Sequence, residues 1–227
     1  MGKIKTIQSG GHEIAYEQTK GEGVGVLVAL GHKTSMQESG TAGIVRDYCA
    51  SNNIPLTMFD YAGYGASQGE PREWETDLWL ENLIDIIDNV IDKPVVCVGG
   101  SMGGYLMLIA AHLRPEKVHG LVGVAPGFGS FYQKTKRTAL CYKDHTVPIN
   151  FSDNNHFLTE ELHINAPVRL IHGLKDDKIP FTNSINIARL VTSDNVHIKL
   201  LKGAGHILKS EYETTPTLKA IEELRSL

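Results

Sequence analysis

One serine lies among four glycines in the stretch CVGGSMGGYLM, residues 97–107, between an apolar run and a segment with helical spacing. Gly99, Ser101 and Gly103 fit the pattern G-x-S-x-G. In that pattern a sharp strand-to-helix turn strains the serine backbone, and the residues two positions away on either side must be small. A glycine-rich turn that holds a phosphate or packs closely is the alternative. The pattern therefore predicts a nucleophile if a base and an acid accompany it.

Candidates for both partners follow later in the chain. A serine hydroxyl is a weak nucleophile at neutral pH, so it needs a general base that is itself oriented by a carboxylate. Asp176 and Asp177 follow the apolar run PVRLIHG, and His206 follows the apolar run VHIKLL. Serine, aspartate, histidine is one of the known chain orders of a catalytic triad. We expect Ser101 to attack and His206 to take its proton, while the spacing leaves open which aspartate orients the imidazole.

Such a serine also needs N–H groups that stabilise the negative oxygen formed during acyl transfer. The backbone N–H of Met102, directly after the serine, is one candidate. The second is the backbone N–H of His32, because Gly31 permits a turn at the start of the loop GHKTSMQESG, residues 31–40. A role for His32 as a second catalytic base is the alternative.

The elements that must position these residues alternate along the chain. Short runs rich in Val, Ile and Leu, without polar alternation, are typical of strands buried on both faces; they occupy residues 25–30, 55–60, 94–100, 121–125, 167–173 and 196–201. Segments with helical spacing separate them. We predict a single α/β domain over residues 1–227, with a mostly parallel sheet, helices on both faces and an N-terminal β-hairpin. Catalytic residues then lie beyond the carboxyl ends of the strands.

Residues 126–165 break this alternation, because they separate two strands by 40 residues of mixed polarity. We interpret them as a small cap insertion over the site, with an inert surface loop as the alternative. Five of their side chains are candidate substrate contacts: Phe128, Phe131, Tyr132, Lys136 and Arg137. The aromatic rings suit an apolar acyl chain. The two cations suit an acidic leaving group such as a glucuronide carboxylate, or else form a solvated face.

The glycines of FDYAGYGASQG, residues 59–69, have the wrong spacing for a dinucleotide-binding fingerprint, since Gln68 stands where that pattern needs glycine. We interpret this stretch as a structural turn beside the site. Asp60 and Ser67 are expected to hold it by hydrogen bonds.

The composition limits the partners. A net charge of −4 and the absence of a Lys/Arg tract argue against nucleic acid. No segment has the roughly 20 apolar residues of a membrane-spanning helix. Three cysteines without a CxxC pair indicate a reducing compartment, and with no signal or transit segment visible we expect the cytoplasm. The chemistry requires neither a metal nor an organic cofactor, and the sequence leaves the oligomeric state open.

The chain resembles the α/β-hydrolase superfamily in three stretches: FDYAGYGAS, GGSMGGYLMLIAAHLRPEKVHGLVGVA and APVRLIHGLKDDKIP. They are similar to a small-cap subgroup that includes a mitochondrial acyl-protein thioesterase, which also hydrolyses acyl glucuronides. The subgroup's His-Gly-x-x-Asp pattern with a later proline maps to His172, Asp176 and Pro180, and so favours Asp176 over Asp177. Many members place histidine before the glycine of the first oxyanion loop, whereas here Leu30 precedes that glycine.

The resemblance implies a serine hydrolase that cleaves a small-molecule ester or thioester through an acyl-serine intermediate. Two alternatives stay open. The first is a peptidase or hydroxycinnamoyl esterase of the same fold. The second is a binding protein that keeps the fold without catalysis.

Overall fold

The structure is a computed structural model that describes residues 2–38, 40–70, 75–128, 139–152, 155–158 and 160–227. Within these ranges the strands of the main sheet are β1 Lys5–Ser9, β2 His12–Thr19, β3 Val26–Ala29, β4 Leu56–Phe59, β5 Val95–Gly100, β6 Val118–Val124, β10 Val168–Gly173 and β11 Val196–Leu201. A smaller sheet contains β7 Ala139–Tyr142, β8 His145–Ser152 and β9 Asn155–Leu158. The helices are α1 Thr41–Ser51, α2 Thr76–Val90, α3 Met102–Leu113, α4 Thr182–Leu190 and α5 Glu211–Arg225.

The main sheet has the order β1-β2-β4-β3-β5-β6-β10-β11. β2 pairs antiparallel with β1 and with β4, and the remaining pairs are parallel. Gly10 and Gly11 form the turn between β1 and β2 with φ values of 56° and 79°, which side chains disfavour and two-residue hairpin turns need. The predicted hairpin and mostly parallel sheet are confirmed.

The direction of each crossover places the helices. The step from β3 to β4 runs one way along the sheet, whereas the steps from β4 to β5 and from β5 to β6 run the other way. Because such crossovers are right-handed, α1 covers one face while α2 and α3 cover the opposite face. α2 contacts α3, as this arrangement requires, and α1 contacts α5. The strand order reverses between β3 and β5, because the connections after these two strands lead to opposite edges of the sheet. Ligands of such sheets bind at this switch point.

Helix α3 lies at the centre of the core. Every residue from Met102 to Ala111 is buried, because α3 contacts β3, β5, β6 and α2. α2 buries the apolar positions that its spacing predicts, including Trp79, Leu83 and Ile87. Ser101 therefore directly precedes a helix that is fixed on several sides.

Part of the predicted cap interval forms regular structure. β8 pairs antiparallel with β7 and β9. β7 contacts α2, and β9 contacts α4. Phe128 is described and buried, whereas the other four predicted substrate contacts, Phe131, Tyr132, Lys136 and Arg137, lie outside the described residues. No helix in the described ranges is long and apolar enough to cross a membrane.

Candidate active site

Ser101 occupies the turn between β5 and α3 with φ 51° and ψ −125°, a region that non-glycine residues rarely adopt. A Cβ on Gly99 would lie 2.6 Å from the backbone of Gly104, and a Cβ on Gly103 would collide with the backbone carbonyl oxygen of Leu30. The two glycines thus let the backbone of neighbouring segments approach the turn. This is the strained elbow that the sequence pattern predicts.

His206 comes from the loop after β11, and its Nε2 atom lies 3.1 Å from the Ser101 hydroxyl oxygen. Its side chain is 20% exposed. The loop after β10 packs against this loop: the N–H of Lys175 donates to the carbonyl oxygen of Ala204 at 2.8 Å, and a Cβ on Gly173, the last residue of β10, would collide with the backbone of Ala204. Parallel pairing of β10 with β11 therefore brings the predicted base and acid loops together.

Asp176, rather than Asp177, contacts the imidazole. Nδ1 of His206 lies 2.8 Å from Oδ2 of Asp176, while Oδ1 accepts hydrogen bonds of 2.9 Å from the N–H groups of Lys178 and Ile179. The Asp177 side chain is 74% exposed and lies 3.2 Å from Nζ of Lys178. The turn formed by residues 176–179 thus directs one carboxylate inward and the other into solvent.

The Asp176 carboxylate is fully buried. Burial disfavours its ionised form, but hydrogen bonds from His172, His206 and Ile179 outweigh that effect and hold its pKa below the usual range. The carboxylate is therefore ionised at neutral pH, as it must be to accept the Nδ1–H of His206.

His172, the histidine of the His-Gly-x-x-Asp pattern, is completely buried. Its Nδ1 lies 2.8 Å from the hydroxyl of Ser184, and its Nε2 lies 3.0 Å from the carbonyl oxygen of Ile179. The same Nε2 lies 3.2 Å from Oδ2 of Asp176. Sequence reasoning missed the contact between His172 and Asp176, because this contact depends on the turn that brings Asp176 back to a residue four positions earlier.

The candidate oxyanion donors follow two neighbouring strands, β5 and β3. Met102 begins α3, whose N-terminal N–H groups and dipole favour negative charge. His32 follows β3, which pairs with β5. A Cβ built on Gly31 would lie 3.9 Å from Cβ of Ser101, so the His32 loop is adjacent to the elbow.

The imidazole of His32 packs against aromatic rings. Its centroid lies 5.6 Å from that of Trp79 and 6.2 Å from that of Tyr64. The Ser101 hydroxyl, in contrast, lies beside His206. This geometry favours a backbone contribution from His32 over a role as second base.

Asp60 and Ser67 hold the loop after β4 as predicted. The Ser67 hydroxyl donates to the carbonyl oxygen of Asp60 at 2.6 Å, and the N–H of Ala66 donates to Asp60 Oδ2 at 2.8 Å. The structure adds a contact that no local pattern indicates: the N–H of Met36 donates to Asp60 Oδ1 at 2.6 Å. Burial raises the pKa of Asp60, while the hydrogen bonds from Ala66 and Met36 oppose the rise. Asp60 thereby fixes the far end of the loop that carries His32.

A cavity of about 530 Å³ contains Ser101 and His206 in its wall. Its lining comes mainly from β3, the loop after β3, β5, the first turn of α1 and the start of the cap interval. The lining residues are Val28–Ser35, Gly40–Ala42, Val98–Met102, Val124, Gly127, Phe128, His206 and Ile207. Within the described residues, no three or more His, Cys, Asp or Glu side chains form a group that could hold a metal ion.

Comparison with known proteins gives consistent similarities. A family model described as serine aminopeptidase, S33, matches residues 34–149. The chain is 31% identical over 234 residues to palmitoyl-protein thioesterase ABHD10, mitochondrial, of Pongo abelii, with 93% of this chain and 76% of that protein covered. The Homo sapiens protein of the same name is 30% identical with the same coverage.

Solved structures show the same fold. Alpha/beta hydrolase domain-containing protein 10 from mouse superposes with a TM-score of 0.81 at 25% identity, with 99% of this chain and 98% of that chain covered. Est1E from Butyrivibrio proteoclasticus, with ferulic acid bound, superposes with a TM-score of 0.73 at 15% identity over 98% and 96% of the two chains. The second likeness concerns the fold alone.

Proposed function

The chain belongs to the α/β-hydrolase family described as serine aminopeptidase, S33, and we propose that Ser101 is the nucleophile of an acyl thioesterase for long, unbranched acyl groups. Hydrolysis of an ester or thioester is the reaction class that the palmitoyl-protein thioesterase relatives indicate for this chain. The observation that most supports the residue roles is the hydrogen-bonded series Ser101, His206 and Asp176, with distances of 3.1 Å and 2.8 Å.

The proposed reaction proceeds in two steps. The Ser101 hydroxyl attacks the carbonyl carbon while His206 takes its proton, and Asp176 holds and stabilises the imidazolium. The N–H groups of Met102 and His32 donate hydrogen bonds to the oxyanion. His206 then protonates the departing sulfur or oxygen. Water, activated by the same imidazole, hydrolyses the acyl-serine and releases a carboxylic acid.

The acyl preference is supported by the cavity at Ser101, whose lining includes the buried apolar side chains of Val28, Ala29, Val98 and Val124. An apolar chain gains free energy on entering such a site in proportion to the area removed from water. The name of these relatives, palmitoyl-protein thioesterase, supports the same class of acyl group. Phe128, which lines this cavity, is the member of the predicted cap contacts that the proposal uses.

Three substrates test the proposal: a peptide carrying an S-palmitoyl cysteine, a p-nitrophenyl ester and a peptide p-nitroanilide. We expect hydrolysis of the thioester and the ester, and a Ser101→Ala rate lower by at least about 10⁴-fold. Ser51→Ala, on the exposed end of α1, is the matched control and keeps the wild-type rate. Faster cleavage of the anilide than of the thioester and ester would favour the peptidase alternative.

The cytoplasm remains our proposed location, supported by three free thiols at Cys49, Cys97 and Cys141. The word mitochondrial in the relatives' names concerns those proteins. Fractionation of cells that express the chain with a C-terminal tag tests the location, and recovery with mitochondria contradicts it.

A further inference from the structure

We propose that the acyl chain of the substrate enters the part of the cavity between β3, β5 and the first turn of α1, and that the side chain of Ala42 limits its length. This inference rests on the proposed function. The sequence-based expectation places the acyl chain against the aromatic side chains of the cap instead. Most described residues that line the cavity, however, belong to the sheet and to the loop and helix that follow β3.

The depth of the cavity follows from the strand residues in its wall. Val98 lies three residues before Ser101 on β5, and Val28 pairs with Val98 across β3 and β5. Since a strand rises about 3.3 Å per residue, the wall extends roughly 10 Å below the nucleophile. Val28, Leu30 and Val98 are each at most 3% exposed to solvent. This depth suits a chain rather than a compact acyl group such as acetyl.

The first turn of α1 forms another part of the wall. Thr41 and Ala42 line the cavity and are half-buried. The first turn of α1 carries no acidic side chain. A Cβ on Gly40 would meet no atom within 4 Å, so space is open beside this turn. Because Ala42 lines the cavity, we expect a larger side chain at this position to take up part of its volume and shorten it.

The position of the base decides which part of the substrate points inward. His206 must reach the leaving group in order to protonate it. His206 is 20% exposed and its neighbour Ile207 is 63% exposed, so this side of the cavity faces solvent. Among the described lining residues, the charged or titratable side chains are His32, Lys33 and His206, and the His32 imidazole packs against Trp79 and Tyr64. A polar leaving group therefore stays at the rim, because burying it in the apolar part without a partner costs free energy.

The test is a chain-length series of p-nitrophenyl esters, from acetyl to decanoyl, with wild type and Ala42→Phe. Each buried methylene contributes about fourfold in kcat/KM, so the wild-type value rises along the series. Ala42→Phe should hydrolyse the acetyl ester within about twofold of wild type and lose at least about tenfold on the decanoyl ester. Ala50→Phe, at an exposed position of the same helix, keeps the wild-type profile.

Acetyl ester hydrolysis reports folding and an intact nucleophile. If Ala42→Phe loses it, Ala42→Val is measured instead, and the ratio of decanoyl to acetyl kcat/KM must still fall. An unchanged ratio in a folded variant overturns the proposal. Failure of the wild type to hydrolyse any ester or thioester contradicts the proposed function itself, and so the two failures are distinct.

Discussion

His172 lies with its Nε2 atom 3.2 Å from Oδ2 of Asp176, the same oxygen that Nδ1 of His206 approaches to 2.8 Å. The other carboxylate oxygen accepts two backbone N–H groups, from Lys178 and Ile179. The acid is thus held on both sides before it orients the base. A catalytic carboxylate held in this way stabilises the imidazolium with little reorganisation.

Asp176→Asn should lower kcat on the order of 10³–10⁴-fold, because an amide cannot stabilise the imidazolium and favours the wrong tautomer of His206. Asp177→Asn is the matched control and should stay within about twofold, since its side chain is exposed. Steady-state ester hydrolysis measures both. Equal losses in the two variants would contradict the assignment of Asp176.

The buried carboxylate also predicts a pH dependence of stability. The pKa of Asp176 is lower in the folded chain than in the unfolded chain, where aspartate titrates near 3.9. The unfolded chain therefore binds more protons below about pH 5, so this contribution is complete near neutral pH and is lost as the pH falls through that range. Asp176→Asn should remove it. Urea unfolding at pH 7 and pH 4 should show a smaller loss of stability on acidification for Asp176→Asn than for wild type. Equal losses would contradict the pairing.

Asp60→Asn should reduce kcat about tenfold or more with little change in KM. An amide offers one acceptor where Met36 and Ala66 need two, so the loop that carries His32 shifts away from the oxyanion position. Ser67→Ala leaves the Asp60 carboxylate contacts in place and should have the smaller effect. If Asp60→Asn lowers the melting temperature but leaves kcat intact, Asp60 has no positioning role.

Lys136 and Arg137, outside the described residues, remain predicted contacts for an acidic leaving group. Changing both to Ala should raise KM for esters with an anionic leaving group more than for neutral esters, by about fivefold or more. The comparison uses matched esters that differ only in the leaving-group charge. Equal effects on both esters would leave these cations as part of a solvated face.

The sequence predicts the sheet because buried parallel strands appear as apolar runs. It predicts that Ser101, Asp176 and His206 come together because the loops after parallel strands lie at one edge of the sheet. The spacing alone does not distinguish Asp176 from Asp177, although the family resemblance favours Asp176, because only the turn with Lys178 and Ile179 directs one carboxylate inward. The link from Asp60 to Met36 joins residues 24 positions apart and has no local signal.

The small sheet escaped prediction for a different reason. β7 alternates exposed and buried positions over four residues only, and β8 contains Pro148, which sequence rules associate with strand edges or turns. The part of the cavity under α1 likewise depends on how a helix begins beside two strands. No motif marks Ala42.

The most direct test of the central claim is covalent labelling of the folded chain by a fluorophosphonate, followed by intact mass measurement and peptide mapping. We predict one label per chain on Ser101, no label in Ser101→Ala, and much slower labelling in His206→Ala, because the hydroxyl then lacks its base. Labelling that persists in Ser101→Ala, or folded wild-type protein that takes no label, would contradict the claim.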